Sequence, residues 1–440
     1  MVKCKMKAPR VNNINKPVFL SPKKDYLFDV IPIYFFPQYG SSVMGIDFVF
    51  DIDSRVLRTS SSLEISAVNS FLTCGTHSVD EVEINSIIDS FGGYFSKSYN
   101  RRHFECSLHI LSSSISKVMP IISDCIFKPI FPEEIIKKKL ENKKKLFTIS
   151  SMRVTEKAKV KFKELLYADN HPFGKKTHVK DFDILSSEAL KKTHSRICNF
   201  QINNEKKLIN NFSVLISGDY PKNIKKILEN NFPSSFQNTQ FQELKIIEKT
   251  NASCFYICQE NALQTAFRVG RVLPGHSHKD FFGLKILITI LGGYFGSRLM
   301  ANIREEKGYT YGVGAFLITE EFYSEFNIVT EVGSQYTKQV FQEIVKEINI
   351  LKNSCISISE LNRVKSYMLG SILHNCNGLF SQVSVFKDLK KHNSSFNFLE
   401  KLNFEINNIS PEKIKYLANK YFNISDIFFV ACGPPQEKIW

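Results

Sequence analysis

The sequence has no C-x-x-C pair, no apolar run long enough to span a membrane and no recognisable nucleic-acid-binding motif. Each absence removes a class of function. The ten cysteines, at positions 4, 74, 106, 125, 198, 254, 258, 355, 376 and 432, are too sparse for a disulfide scaffold and fit reduced thiols in a cytoplasmic protein. Cys254 and Cys258 share one face of an apolar stretch, Ala252 to Cys258, and read as buried filler rather than as a metal or disulfide pair. The opening MVKCKMKAPRVNNINKPVFLSPKKD lacks the apolar core of a signal peptide. It has no acidic residue before Asp25, as in an organelle transit peptide, but its prolines and poor amphipathicity count against one. The formal charge of +15 comes from 58 Lys plus Arg against 43 Asp plus Glu. The lysines are scattered, with short runs at 137–139 and 143–145, in a chain also rich in Asn, Ile and Phe. That mix reads as compositional drift, so neither nucleic acid nor membrane is expected as a partner.

What is present is enough apolar material, 43% of residues with 12% aromatic, to fill large cores, and a length that suggests about two to three domains. GGYF occurs at 92–95 and again at 292–295. The first follows a helical pattern over Asp80 to Phe91, with Ser78 and Glu81 in capping-box spacing, and the second closes the apolar segment Gly283 to Leu291. Both halves also end alike, SSEALKKTHSRICNF leading to a strand that stops at Gly218 and SPEKIKYLANKYF to one that stops at Gly433. These parallels suggest an internal duplication. An apolar stripe predicts a helix over 334–352, and Ser357 with Glu360 opens another to about His374; alternation predicts strands at Phe104 to Ile110 and Glu325 to Val332. The expected fold class is α+β, two homologous domains of mixed or antiparallel sheet with helices on one face. The expected boundaries are 1–220 and 250–440, joined by the polar connection 221–249.

The most informative stretch is LGGYFGSRLMANIREEKGYTY at 291–311, in which Arg304 and Tyr311 lie either side of Gly308. Gly308 suggests a helix end followed by a strand, which would let both side chains converge on one ligand, with Gly292 and Gly293 supplying a turn and Arg298 fixing the helix. The alternative is a surface pair between Arg304 and Glu305 or Glu306, with Tyr311 packing. The stretch resembles the carboxy-terminal signature of the insulinase, pitrilysin and mitochondrial processing peptidase family. The resemblance extends from PKKDYLFDVIPIYFF to Gly433 through FPEE at 131–134 and DNHPFGK at 169–175. It implies a metallohydrolase-like clamshell half in which Arg304 and Tyr311 grip the substrate opposite a zinc site.

Active members of that family carry H-x-x-E-H on a first-half helix, two histidines for zinc and a glutamate to activate water. Aligned on Gly75 and Thr76, the five positions fall on Ser66 to Ser70, so Ser66, Asn69 and Ser70 stand where ligands and base would be. Hydroxyls and an amide are poor substitutes for imidazole and carboxylate. The third ligand would fall among Lys145 to Thr148, where there is no acid and Lys145 would repel a cation. His77, His103 and His109 have no helical partner, and the H-x-H of His276 and His278 reads as a solvated turn more readily than a metal loop. Ser187, Ser297 and Cys106 lack a nucleophile context.

The resemblance therefore implies a noncatalytic subunit that binds no cofactor of its own. A zinc-bearing paralogous subunit would be its partner, an unfolded peptide the shared substrate, and the chain alone would be inactive. The alternatives are a purely structural or peptide-binding homologue and a self-sufficient metalloprotease with an unrecognised metal site.

Overall fold

The computed structural model describes residues 18–167, 171–198, 211–233, 252–392, 394–436 and 439–440. Eleven strands among them build two sheets. The first holds β1 (Lys23–Leu27), β2 (Ile31–Pro37), β3 (Val43–Asp51), β4 (Tyr94–Asn100), β5 (His103–Leu111) and β6 (Phe212–Gly218), in the order β1-β2-β6-β3-β5-β4. The second holds β7 (Cys254–Cys258), β8 (Gln264–Pro274), β9 (Thr310–Thr319), β10 (Tyr323–Gly333) and β11 (Phe428–Gly433), in the order β7-β11-β8-β10-β9. β3 and β6 are almost continuously apolar and buried, as strands covered on both faces must be.

Setting β1 aside, the two orders are one order. β2, β3, β4, β5 and β6 correspond in turn to β7, β8, β9, β10 and β11, and the single parallel pairing recurs, β2 with β6 and β7 with β11. This topology supports the duplication, but not through the GGYF doublet. Between β3 and β4 stand a short helix, Ser54–Thr59, and a pair of longer ones, Ser62–Phe71 and Glu81–Ser90; between β8 and β9 stands the pair Phe281–Gly292 and Met300–Glu306. The first GGYF follows the second helix of its pair and opens β4, whereas the second GGYF follows the first helix of its pair. The two copies are not equivalent positions.

Local signals explain the helix starts. Ser61 caps the first helix by accepting from the Glu64 amide at 3.0 Å, and Ser357 caps Ile358–Asn375 from the Glu360 amide at 3.2 Å. The Glu81–Ser90 helix is capped by Asp80, which accepts from the Glu83 amide at 2.9 Å, rather than by Ser78; the Thr76 to Val79 segment is held in a turn of its own.

The helices do not stay on one face, nor with their own sheet. Val154–Leu166 packs Val154, Ala158, Phe162 and Leu166 against Ala266, Phe428, Val430 and Cys432 of the second sheet. Reciprocally, Leu379–Lys391 packs Leu379, Val383 and Phe386 against Phe36, Val49 and Leu215 of the first. The cause is visible along β11, where Phe428, Val430 and Cys432 face the exchanged helix while Phe429 and Ala431 face the main second core. Burying a Phe or Leu in this way is worth about 1.5–3 kcal/mol per side chain, so each half completes the other. The connection expected from 221 also begins differently: Ile224–Asn231 is a helix whose Ile224 and Leu228 are buried in the first core, and residues 234–251 lie outside the described set.

Polar groups seal the seam between the sheets. Arg101 pairs with Glu325 of β10, donates to Tyr167 Oη at 3.1 Å and lies 5.0 Å from the Phe173 ring centroid. Tyr167 also donates to Glu325 at 2.7 Å and stacks on His171, so the HPF of the DNHPFGK motif is part of this seam; Asp169 and Asn170 lie outside the described residues. Burial pushes the Glu325 carboxyl up, but the Arg101 charge and the hydrogen bonds from Tyr167, Arg101 and Asn327 outweigh it and hold it below the ordinary carboxylate value. Lys387 and Lys391 of the exchanged helix pair with Asp47 and Glu105 on β3 and β5.

Candidate functional site

The Arg304 segment is a π-helix, Met300–Glu306, a wider winding than an α-helix. Such winding costs backbone energy and is found disproportionately at functional sites. It is braced from two sides. Arg298, just ahead of it, forms a two-point pair with Glu360 at 2.8 and 2.9 Å. Asn302 donates to Glu343 at 2.9 Å and to Glu347 at 2.7 Å, and Lys307 Nζ donates to Asn302 Oδ1 at 2.7 Å. Burial raises the Glu343 carboxyl, but Lys307 and Asn302 hold it below its ordinary value.

Gly308 takes a left-handed φ of +65° and ends the segment, as its sequence position predicts, and β9 begins at Thr310. Gly292 meets a different demand: a Cβ there would come within 2.6 Å of the Ala315 Cβ, so only glycine lets the Phe281–Gly292 helix end directly on β9. Gly293 caps that helix, its amide donating to Thr289 O at 3.0 Å.

Tyr311 owes its position to a β-bulge. Thr310 lies opposite Val332 and Val313 opposite Thr330, so Tyr311 and Gly312 together face the single residue Glu331. Thr310 Oγ1 donates to Glu331 O at 2.7 Å, and Thr330 Oγ1 donates to Gly312 O at 3.0 Å, which pins the extra residue. Bulges re-aim side chains, and here the phenol is 94% exposed. Arg304 stands on the preceding segment with its guanidinium 4.7 Å from the ring centroid of Phe295, itself 62% exposed. It also pairs with Glu305 at 2.5 Å, the surface pair weighed from the sequence. An exposed pair of this kind contributes about 0–1 kcal/mol and an exposed cation–π contact about 0.5–1 kcal/mol. Neither would keep the fork from a better acceptor. Phe295 carries no signal in the sequence beyond its place in GGYF.

The zinc-motif positions tell the opposite story. Ser66, Asn69 and Ser70 lie on the Ser62–Phe71 helix as expected, with Asn69 buried and its amide directed at Glu105 O at 3.4 Å. Ser70 Oγ donates to Ser66 O at 2.8 Å and receives Lys143 Nζ at 3.1 Å; Lys97 Nζ donates to Ser70 O at 3.2 Å and to Thr73 Oγ1 at 2.6 Å. Lys145, expected to be the repelling charge, is instead exposed, and Lys143, two residues earlier on Glu133–Ser151, is the lysine that faces Ser70. Two ammonium groups thus end on Ser70, one at its carbonyl and one at its hydroxyl. The donor set does not fit zinc.

Other sequence candidates resolve plainly. His276 packs beside His392, Phe281 and Phe398 rather than in a solvated turn, and His278 Nδ1 accepts from the Asp280 amide at 3.0 Å. Among the described residues no group of three or more His, Cys, Asp or Glu side chains is arranged to hold a metal. Cys254 and Cys258 are exposed on edge strand β7, not buried filler, because β7 has a neighbour on one side only. Ser187 donates to Phe131 O at 2.5 Å, Ser297 is buried, and Cys106 is fully buried with its thiol pushed well up by desolvation, so none is placed as a nucleophile. No helix among the described residues is long and apolar enough to cross a membrane.

Residues 209–368, from just ahead of β6 into the Ile358–Asn375 helix, match the family model described as the peptidase M16 inactive domain. That segment is similar to an M16 inactive domain. The matched segment holds the π-helix, Gly308 and the bulge of Tyr311, so the family resemblance read from that motif is borne out there. An uncharacterized zinc protease YmxG of Bacillus subtilis is 28% identical over 149 residues, 33% of this chain and 36% of that protein. A non-peptidase homolog YmxG of Helicobacter pylori is 25% identical over 158 residues, 34% of this chain and 35% of that protein. The alignments thus span about a third of the length of these curated relatives. Among solved structures, a peptidase M16 inactive domain from Pseudomonas fluorescens superposes with a TM-score of 0.82, covering 95% of this chain and 100% of that one at 17% identity. That likeness establishes the M16 fold across nearly the whole chain.

Proposed function

We propose that this chain is the zinc-less subunit of a two-chain zinc endopeptidase, lending Arg304 and Tyr311 to a peptide held at the zinc of a paralogous partner. The observation that carries this reading is a contrast within one molecule. The first-half position suited to zinc is filled by Lys97 and Lys143, while the second half displays Arg304 and Tyr311 outward from a braced segment. Arg304 brings a planar fork of five N–H donors and Tyr311 a phenolic donor, both suited to an oxyanion forming on a scissile carbonyl. The names of the M16 relatives, one a zinc protease and one a non-peptidase homolog, fit a family in which both kinds of chain occur.

In this arrangement the substrate is an unfolded peptide that adds as a strand to a sheet edge in the partner's half, where main-chain hydrogen bonds give affinity with little sequence preference. The partner supplies metal and base; this chain supplies donors from the facing wall. A cytoplasmic setting accords with the nine free cysteines among the described residues, while Cys4 lies outside them. The test is reconstitution. The purified chain is expected to hold no stoichiometric zinc and to hydrolyse no peptide, and to raise the activity of a zinc-bearing paralogue at least about tenfold. Near-stoichiometric zinc and peptidase activity in the chain alone would overturn the reading.

A further inference from the structure

The lysines at the vacated zinc position are not merely in the way of a metal. Lys97 reaches from β4 and Lys143 from the Glu133–Ser151 helix, and both end on Ser70. Among the described residues neither forms an ion pair with a carboxylate. Burial pushes both ammonium groups below the ordinary lysine value, and the nearby positive Lys139 adds to the shift. Lys139 is already matched by Glu81, at 2.5 Å. The cluster therefore holds three lysines and one carboxylate, Glu81, an excess of two positive charges in a half-buried setting.

A half-buried ammonium without a counter-ion is costly unless something anionic joins it. Each lysine has three N–H donors. Lys97 uses two on Ser70 O and Thr73 Oγ1 and Lys143 one on Ser70 Oγ, so three remain for a ligand. Lys97 at Ser70 O and Lys143 at Ser70 Oγ bring donors from two sides of one residue, which suits an anion with two acceptor oxygens such as a carboxylate. The surroundings point to which carboxylate. β4 is the last strand of its sheet, pairing only with β5, so its other edge is open to an added strand, and Lys97 belongs to β4 itself. A peptide added along that edge and ending level with Lys97, the central residue of β4, would bring its carboxylate to the lysines.

We propose that the vacated zinc position is a carboxylate site that takes the free C-terminal carboxylate of a peptide, with Lys97 and Lys143 as its two ligating groups. The zinc position of the fold has on this account reversed its sign, from a cation held by anions and imidazoles to an anion held by cations. The assignment rests on the proposed function only in taking the ligand to be a peptide; it does not involve Arg304 or Tyr311.

The experiment is calorimetric titration of the full chain with one fluorescence-silent nonapeptide in two forms, free acid and C-terminal amide, with inorganic phosphate as competitor. The wild type is expected to bind the acid at least about tenfold more tightly than the amide. Lys143→Met is expected to erase that preference, Lys97→Met to do the same, and Lys143→Arg to retain most of it. Arg304→Ala is expected to leave the acid-to-amide ratio unchanged, which separates this site from the gripping motif. Absence of binding by the acid, equal binding of acid and amide, or a preference that survives in Lys143→Met would overturn the proposal. So would displacement of the peptide by phosphate at matching affinity, which would make the site a general anion site. Lys143 lies on a helix surface, so its variants remain informative if Lys97→Met does not fold.

Discussion

The Ser62–Phe71 helix, between β3 and β4, and the Phe281–Gly292 helix, between β8 and β9, stand in matching connections of one repeated topology, yet the first half has buried its chemistry on that helix and the second displays it on the segment that follows. On Ser62–Phe71, Ile65, Ala67 and Val68 are buried and hold the helix on its sheet, while Ser70, whose hydroxyl donates to Ser66 O, is the partner of two lysines. On Phe281–Gly292, Leu284, Leu287 and Ile288 anchor equally well, and the chain beyond them winds into the π-helix that bears a part-exposed Arg304 and the bulge that turns Tyr311 out to solvent. Core-facing positions preserve a scaffold, and the opposite face is free to change its chemistry without unfolding it. The two halves differ least where they are buried and most where a ligand would be met.

The comparison presumes that the halves share one rigid frame, and the largest expected effect comes from breaking it. Arg101→Ala leaves the Glu325 carboxylate buried without its cation and is expected to cost about 3–5 kcal/mol of unfolding free energy, read as a shift of the urea midpoint. A loss below about 1 kcal/mol would mean that the seam is not what couples the sheets. Next in size is a change that loosens only the second half. Arg298→Ala removes a two-point pair with Glu360 and is expected to lower stability by about 1.5–3 kcal/mol and to impair reconstituted peptidase activity, although Arg298 touches no substrate. Stability loss with full activity would show that bracing of the π-helix is not needed for its display.

A pH titration sharpens the same contrast, because the sensitive histidines lie outside both sites. Burial pushes His171 down to about 4, and burial followed by the charges of His103 and His276 pushes His392 down to about 3. Between these values and about 6.5, the ordinary histidine pKa, the unfolded chain binds more protons than the folded one. Stability is therefore complete above about 6.5 and declines as pH falls through that window. Glu320 works in the opposite sense, since burial raises its carboxyl. The melting temperature is expected to fall by several degrees from pH 7 to pH 5, and the fall to shrink in His171→Gln. A flat profile would contradict the neutral buried state. The smallest stability effect belongs to Tyr311→Phe, expected within about 0.5 kcal/mol of wild type because the phenol is exposed, while peptidase activity with a partner drops.

Much of the fold was legible because burial writes periodicity into a sequence. The stripe from Val340 to Leu351 lies on the helix Thr337–Asn353, and the alternation from Glu325 to Val332 lies on β10. Ser357 and Glu360 mark a helix start that the structure places at Ile358. That Ser66, Asn69 and Ser70 bring neither imidazole nor carboxylate to their helix was legible too, because it needs only residue identity. What was not legible depends on contacts between distant segments. No pattern in Lys137 to Lys145 says that Lys143, rather than Lys145, meets Ser70, since the two-residue offset between them turns a side chain by about 200° around the helix. The exchange of Val154–Leu166 and Leu379–Lys391 between sheets was hidden because an amphipathic stripe states that it is buried, not against what. The GGYF doublet misled for a related reason: identical letters fell at different steps of the repeated topology.

The central claim is that Arg304 works on a substrate held at another chain's zinc. Its most direct test is the rate of peptide hydrolysis by a zinc-bearing paralogue mixed with wild-type chain or with Arg304→Ala, with complex formation followed in parallel by size-exclusion chromatography. If Arg304 donates to a developing oxyanion, its loss is expected to raise the barrier by about 3 kcal/mol, roughly a hundredfold in rate, with the complex intact. An unchanged rate in the variant complex would contradict the account.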